Sequence, residues 1–167
     1  MTLLTGDELL TADEYVYRDS GLTFLHQTSV VVKVEARNDA HIALSKTNID
    51  GSKGRDEDTD VYEIVIGGWG NTKSVIRKEK GGSHKCTKST PGILQLDESR
   101  PFWVSWTGGN IKFGRGPQVG QDVVCEWQDP NPRDINFVSV STGWGSSGKW
   151  ILSHGKFLCI KYLIKLS

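Results

Sequence analysis

Two tryptophans framed by glycines are the residues whose type and spacing point most directly to ligand binding. Residues 67–71 read Gly-Gly-Trp-Gly-Asn, and residues 143–145 repeat the Gly-Trp-Gly triplet. A tryptophan held at a glycine turn presents a flat ring that can lie against the apolar face of a sugar, while nearby polar groups hydrogen-bond its hydroxyls. The same pattern also fits a structural role, in which both rings cap the core and the glycines supply positive φ.

The candidate sugar-binding residues are the two tryptophans together with polar side chains near Trp69 and in the turn and strand at residues 37–44. They are Asn38, Asp39, His41, Trp69, Asn71, Arg77 and Trp144. By alternation His41 points outward from its strand, where it could contact a ligand or be an ordinary surface histidine.

Two acidic stretches are candidate calcium sites, because Ca²⁺ takes about six to eight oxygen ligands. One is the polar loop at residues 48–60, and the other begins at Asp129-Pro130-Asn131, which resembles the carboxylate-Pro-Asn triplet of calcium-dependent animal lectins. The candidate ligands are Asp56, Asp58, Asp60, Asp129, Asn131 and Asp134. A solvated loop and a proline-containing turn are the simpler interpretations.

The motifs of the common enzyme classes are missing from the sequence. The glycines at 67–70 are followed by a short β-branched segment rather than a helix, so a dinucleotide site is not predicted. A Walker loop is absent, and the four histidines are scattered without a recognisable nucleophile context. We therefore expect a non-enzymatic protein with no organic cofactor.

Charge and cysteine content restrict the partners. Lys plus Arg equals Asp plus Glu at 20 each, so no global field favours nucleic acid, and no apolar run is long enough to insert into a membrane. The three cysteines leave open one internal disulfide or three free thiols. Cys86 lies in a polar stretch and could instead link two chains as a homodimer. We expect an extracellular, secreted protein, although no signal peptide opens the sequence.

Period-two alternation and glycine turns predict an all-β protein of about ten short strands, in one domain over residues 1–167. The fold class is an antiparallel β-sandwich or a flattened barrel. Residues 29–36 and 40–44 are predicted to pair as a hairpin, residues 1–12 to be a frayed lead-in, and residues 73–88 to be a wet edge and loop. The other predicted strands cover residues 14–18, 22–26, 61–66, 72–78, 101–106, 111–113, 123–127, 134–140, 150–152 and 157–166.

Several segments together resemble the farnesoic acid O-methyltransferase-like domain of invertebrates. They are residues 38–45, 62–77, 101–106, 114–116 and 141–145, and the resemblance covers roughly residues 15–150. The family name implies methyl transfer to a sesquiterpenoid acid, but the resemblance brings no cofactor motif with it. The domain also occurs as a module of extracellular and immune-type proteins, and related invertebrate proteins behave as lectins.

The resemblance and the residues together favour a lectin that acts in recognition or defence. We expect it to bind a simple sugar of the galactose type, with Ca²⁺ as a candidate cofactor. A methyltransferase of sesquiterpenoid acids that uses S-adenosylmethionine, and a protein–protein interaction module, are the alternatives.

Overall fold

Alternating strands separated by glycine turns assemble into two antiparallel sheets of six strands each in the computed structural model, which describes residues 8–54 and 60–155. The strands are β1 Leu9–Thr11, β2 Arg18–Asp19, β3 Ser29–Ala36, β4 Ala40–Ser45, β5 Val61–Gly67, β6 Lys73–Arg77, β7 His84–Ser89, β8 Arg100–Ser105, β9 Asn110–Arg115, β10 Val123–Gln128, β11 Phe137–Thr142 and β12 Gly148–His154. A helical turn at Gly68–Asn71 and a 3₁₀ turn at Thr107–Gly109 complete the described elements.

The first sheet has the strand order β1-β12-β3-β8-β9-β10, and the second has the order β2-β11-β4-β5-β6-β7. They are separate layers, so the predicted antiparallel sandwich is confirmed and the barrel alternative is wrong. In the described residues no helix is long and apolar enough to span a bilayer. The predicted strand at 157–166 lies outside the described residues.

The core lies between the two sheets and is built by alternation. In the first sheet Val32 and Val34 of β3 are fully buried beside Trp150 of β12, and Ile42 of β4 and Ile64 of β5 face them from the second sheet. A strand with one apolar face is stable only when a second apolar layer covers it, which is why two sheets form.

The predicted hairpin between residues 29–36 and 40–44 is wrong. β3 pairs with β8 and β12 in the first sheet, whereas β4 pairs with β5 and β11 in the second. The connection through Asp39, whose φ is 49°, therefore crosses from one layer to the other. The alternation of apolar and polar residues fits a hairpin and a crossing between sheets equally well, since each strand buries one face in both arrangements.

A second crossing joins β11 to β12 through the turn that carries Trp144. The two crossings pack against each other at one end of the sandwich, where the Asn38 side-chain amide donates to the carbonyl of Trp144 over 3.1 Å. Ser146 Oγ accepts from the backbone amides of Arg37 and Asn38. Two segments about a hundred residues apart in sequence are thus held as one unit.

Much of the outer face of the second sheet is covered by the chain itself. Tyr15 and Tyr17 lie on this face with Ile49, and together with Ala43 and Val61 they form a small second apolar cluster. Leu9–Thr11 is a strand, so the prediction that residues 1–12 fray is wrong for that part of the lead-in. The uncovered part of the face forms a cleft.

A disulfide joins the two sheets at the opposite edge. Cys86 of β7 is bonded to Cys125 of β10, 39 residues later. The prediction that Cys86 links two chains is wrong, because the polar stretch around Cys86 is an edge strand and its sulfur is used within the chain. Cys159 lies outside the described residues.

Candidate ligand-binding site

A cleft of about 1100 Å³ opens between the crossing at residues 37–39, the two glycine–tryptophan turns and a loop at residues 94–96. All seven residues predicted from the sequence line it: Asn38, Asp39, His41, Trp69, Asn71, Arg77 and Trp144. The sequence separates them by more than a hundred positions, and the two crossings and the β5–β6 turn bring them together. Their role as sugar ligands stays a prediction.

The turn that carries Trp69 is held in an unusual backbone conformation. Trp69, Gly70 and Asn71 have φ of 52°, 71° and 63°, in the left-handed region that tryptophan rarely adopts. The Asn71 amide donates to the carbonyl of Leu94 over 2.8 Å and accepts from the Leu94 amide over 3.1 Å. Both ends of this side chain are therefore occupied, and Asn71 fixes the cleft wall.

Trp69 is surrounded by basic side chains. Its ring is 43% exposed, and the Lys73 ammonium lies over it at 4.1 Å from the centroid. The Arg77 guanidinium is 5.5 Å from the same centroid, and the His84 ring meets the indole edge-on at 5.1 Å. Partial burial and the charges of Arg77 and Lys73 lower the pKa of His84.

Trp144 also has a left-handed backbone, with φ of 51°, but different neighbours. Its indole stacks on the His41 imidazole with 5.3 Å between centroids and 18° between planes, and it contacts the Tyr15 ring at 4.7 Å. The side chain is nevertheless 55% exposed. Neither glycine-framed tryptophan belongs to the buried core, whereas Trp103 and Trp150 are fully buried.

His41 supports Trp144 from below. Only 2% of it is exposed, so the surface-histidine interpretation is wrong. Its two ring nitrogens lie 3.2 Å from a carboxylate oxygen of Asp39 and 3.5 Å from one of Glu63. Burial alone would lower the pKa of His41, but the hydrogen bonds and charges of the two carboxylates outweigh it and raise that pKa.

Glu63 is the part of the site that sequence reasoning missed. This fully buried carboxylate receives the Arg77 guanidinium at 2.9 Å, the Tyr15 hydroxyl at 2.5 Å, the Tyr17 hydroxyl and the Gly81 amide. Burial would raise its pKa, yet His41 and the tyrosine hydroxyls lower it to about 2. A single acidic residue within the apolar strand β5 was the available signal.

The calcium candidates are not brought together. Asp129 is buried, and its carboxylate binds the Lys78 ammonium at 2.8 Å and accepts from the Tyr62 hydroxyl at 2.5 Å. The Lys78 ammonium therefore occupies the position that a calcium ion would need. The prediction that Asp129 is a calcium ligand is wrong. The backbone carbonyl of Asn131, rather than its side chain, accepts a hydrogen bond from the Lys78 ammonium over 3.0 Å.

The remaining calcium candidates add no site. Asp134 is exposed, and Asp60, whose side chain is 89% exposed, lies 3.5 Å from Arg133. Asp56 and Asp58 lie outside the described residues. Over residues 8–54 and 60–155, no group of three or more His, Cys, Asp or Glu side chains could hold a metal ion.

Several solved structures share this fold. A carbohydrate binding module, CBM66 from Bacillus subtilis, matches with a TM-score of 0.54 at 10% identity, covering 86% of this chain and 81% of that one. A Bacillus subtilis protein of unknown function with a galectin-like fold matches with a TM-score of 0.56 at 8% identity, covering 89% of each chain. The galectin LEC-6 of Caenorhabditis elegans matches with a TM-score of 0.51 at 11% identity, covering 91% and 99%. The architecture is thus one that carbohydrate-binding proteins use.

Relatives by sequence include a protein of Haliotis asinina named Uncharacterized protein 5, 35% identical over 81 residues, which are 48% of this chain and 46% of that protein. A BTB/POZ domain-containing protein of Arabidopsis thaliana is 25% identical over 150 residues, covering 81% of this chain and 16% of that protein. The chain spans less than half the length of either relative.

The family model described as farnesoic acid O-methyltransferase matches residues 11–155, which include every strand from β2 to β12 and all seven residues of the cleft. The chain belongs to the farnesoic acid O-methyltransferase family.

Proposed function

We propose that this protein binds glycans and that the cleft between the two tryptophan turns is the binding site. The observation that carries the proposal is the placement of Trp69 and Trp144. Two large rings lie exposed at one cleft, each on a left-handed backbone position that the surrounding contacts must maintain. Exposed indoles beside polar groups are the side chains that pack against sugar rings.

The rigid support under Trp144 strengthens the proposal. Binding a sugar ring on an indole costs less free energy when the indole is already fixed, because the side chain does not have to be ordered on binding. Trp144 is fixed by the stacked His41, which is in turn held between Asp39 and Glu63. The sandwich architecture shared with a carbohydrate binding module and a galectin adds support at the level of the fold.

A glycan array with the folded protein tests the proposal. We expect saturable binding to a subset of glycans, and Trp144→Ala and Trp69→Ala should each weaken it by about tenfold or more, which is about 1.4 kcal/mol. Because both rings are exposed, neither change should lower the melting temperature by more than a few degrees.

Val123→Ala is the matched control. Val123 is 44% exposed, close to the 43% of Trp69, and lies on β10 of the other sheet, outside the cleft. It should leave glycan binding unchanged. Absence of any glycan signal from the folded wild-type protein would contradict the proposal, and so would equal binding by the control and the tryptophan variants.

We further propose that the protein prefers galactose-type sugars and that binding depends on calcium, and the same array tests both. Binding with and without chelator tests the calcium requirement, and the galactosides on the array test the sugar. Single sugar sites are weak, so a homodimer would increase avidity. Since Cys86 is used within the chain, such a dimer would be non-covalent, and light scattering after gel filtration measures it.

We also propose that the protein acts outside the cell, in recognition or defence. The Cys86–Cys125 disulfide supports an oxidising compartment, because such bonds are rare in reducing cytosol. Mobility on a non-reducing gel of protein taken from its native source, with thiols blocked, tests whether this bond is present there.

Methyl transfer is the second candidate, and the description of the family model favours it. A methyltransferase must bind a methyl donor such as S-adenosylmethionine. Calorimetric titration with that compound separates the two candidates, since saturable binding would support the enzyme and no heat at high protein concentration would contradict it.

A further inference from the structure

The acidic groups around the cleft are buried and already accept hydrogen bonds from the protein. Asp39 is the carboxylate among the lining residues, and its two oxygens are taken by His41 at 3.2 Å and by the Asn38 amide at 2.7 Å. Glu63, directly beneath, is fully buried, and both of its oxygens accept hydrogen bonds. Sugar hydroxyls are usually bound by a hydrogen-bond acceptor and a donor together, and here both carboxylates are buried and engaged within the protein.

Basic groups at the same cleft are in excess. Arg37 is exposed on the lining, and Lys73 lies over the Trp69 ring; neither has a carboxylate partner among the described residues. Arg77 gives one terminal nitrogen to Glu63, but its Nε is buried without a hydrogen-bond partner in the part of the chain that the structure describes. An unsatisfied guanidinium donor on a lining that Arg37 shares, with the Lys73 ammonium over the Trp69 ring, favours a negatively charged ligand.

The exposed amide of Gln95 is the one neutral side chain on the lining that can both donate and accept without a described partner. It can read a hydroxyl but does not balance the positive charge. Because the protein as a whole is neutral, with 20 basic and 20 acidic residues, this local excess is not a property of the general surface.

We propose that the ligand of this cleft is an acidic saccharide, whose carboxylate or sulfate is bound by Arg37, Lys73 and Arg77 while its ring packs on the exposed tryptophans. The inference depends on the proposed glycan-binding function and narrows its substrate class. It differs from the neutral galactose-type sugar expected from the sequence.

Matched sugars test the charge directly. The probes are methyl galactoside, methyl galacturonoside and the 6-sulfate of methyl galactoside, titrated into the wild-type protein by ligand-observed NMR. We expect the two acidic probes to bind about tenfold or more tightly than the neutral one, and the preference to shrink as ionic strength rises. Comparison of the uronate with the sulfate identifies which anion the site accepts.

Charge-removing variants test the residues. Lys73→Met and Arg37→Met keep an aliphatic chain but remove the cation, and each should reduce the ratio of acidic-probe affinity to neutral-probe affinity several-fold. Lys149→Met on β12 of the other sheet is the control, because Lys149 is exposed and is not among the residues that line the cleft. It should leave the preference intact.

The possible outcomes separate this inference from the function on which it depends. Equal affinity for neutral and acidic probes overturns the inference and leaves glycan binding in place. An acidic preference that Lys149→Met reduces as much as Lys73→Met does would also overturn it, because the effect would then be non-specific. A wild-type protein that binds no glycan on the array overturns the proposed function and this inference together.

Discussion

The two glycine–tryptophan turns look alike in sequence and differ in almost everything that surrounds them. The first closes the β5–β6 hairpin within one sheet, and its indole lies among Lys73, Arg77 and His84. The second crosses between the sheets, and its indole lies flat on His41 above buried carboxylates. A shared motif therefore fixes the backbone and exposes the ring, whereas the neighbouring strands decide the electrostatic environment.

The two histidines express this difference most clearly. The pKa of His41, between two carboxylates, is raised, and that of His84, beside two cations, is lowered. The Trp144 wall of the cleft thus pairs its histidine with carboxylates, whereas the Trp69 wall is basic and has few acidic partners.

The largest effect is expected at Glu63. Glu63→Ala leaves the guanidinium of Arg77 buried without its carboxylate partner and removes one of the two carboxylates that hold His41, which should cost about 3–5 kcal/mol of unfolding free energy. Because His41 would lose its orientation, the change should disturb Trp144 more than Trp69. Urea unfolding and near-ultraviolet circular dichroism measure the two effects.

Glu126→Ala is the control for that experiment. Its carboxylate is 50% exposed and lies 3.7 Å from Lys112, so its loss should cost less than about 1 kcal/mol. If both variants had equal stability, Glu63 would not be the group that supports the Trp144 wall.

A smaller effect is expected at Asn71, which holds the wall of the first turn. Asn71→Ala removes both hydrogen bonds to Leu94 and places alanine at a φ of 63°, so we expect a loss of about 1–2 kcal/mol. Asn71→Gly removes the same hydrogen bonds without backbone strain and should cost less. Thermal unfolding compares the pair, and a neutral Asn71→Ala would contradict the role assigned to this amide.

The smallest effects concern pH. Proton NMR should show His84 titrating below the ordinary value of 6.5 and His41 above it. Since the pKa of His41 is raised in the folded state, its contribution to stability is complete below pH 6.5 and is lost as pH rises through the folded-state pKa. His41→Gln should remove this loss of stability at rising pH, whereas His84→Gln should leave it in place. A His84 that titrates at the same pH as His41, or at a higher pH, would contradict the difference between the two walls of the cleft.

The sequence predicted those parts of the fold that depend on neighbouring residues. Alternation located β3, β4 and β5 closely, and the glycines around Trp69 and Trp144 marked the two turns, because side-chain period and positive φ are local properties. The two tryptophan turns together with the turn and strand at residues 37–44 supplied seven of the residues that line the cleft, whereas the loop at residues 94–96 carried no such signal.

What the sequence did not predict depends on distant partners. Alternation does not say which sheet a strand joins, so the β3–β4 crossing was mistaken for a hairpin. Glu63 is important because Tyr15 and Tyr17, 48 and 46 residues earlier, reach its carboxylate. Cys86 was placed in a loop because an exposed edge strand with polar residues on both faces carries no period-two signal.

The position of β12 has a consequence for how this chain folds during synthesis. β12 lies between β1 and β3 in the first sheet, so Trp150 pairs with Leu9 on one side and with Val34 on the other. While the ribosome makes the intervening residues, the valine-rich edge of β3 has no partner on that side. Completion of the sheet must therefore follow synthesis of β12, and such long-range pairing typically takes about milliseconds to seconds. During that interval the nascent chain exposes an unpaired strand edge, the kind of edge that favours aggregation.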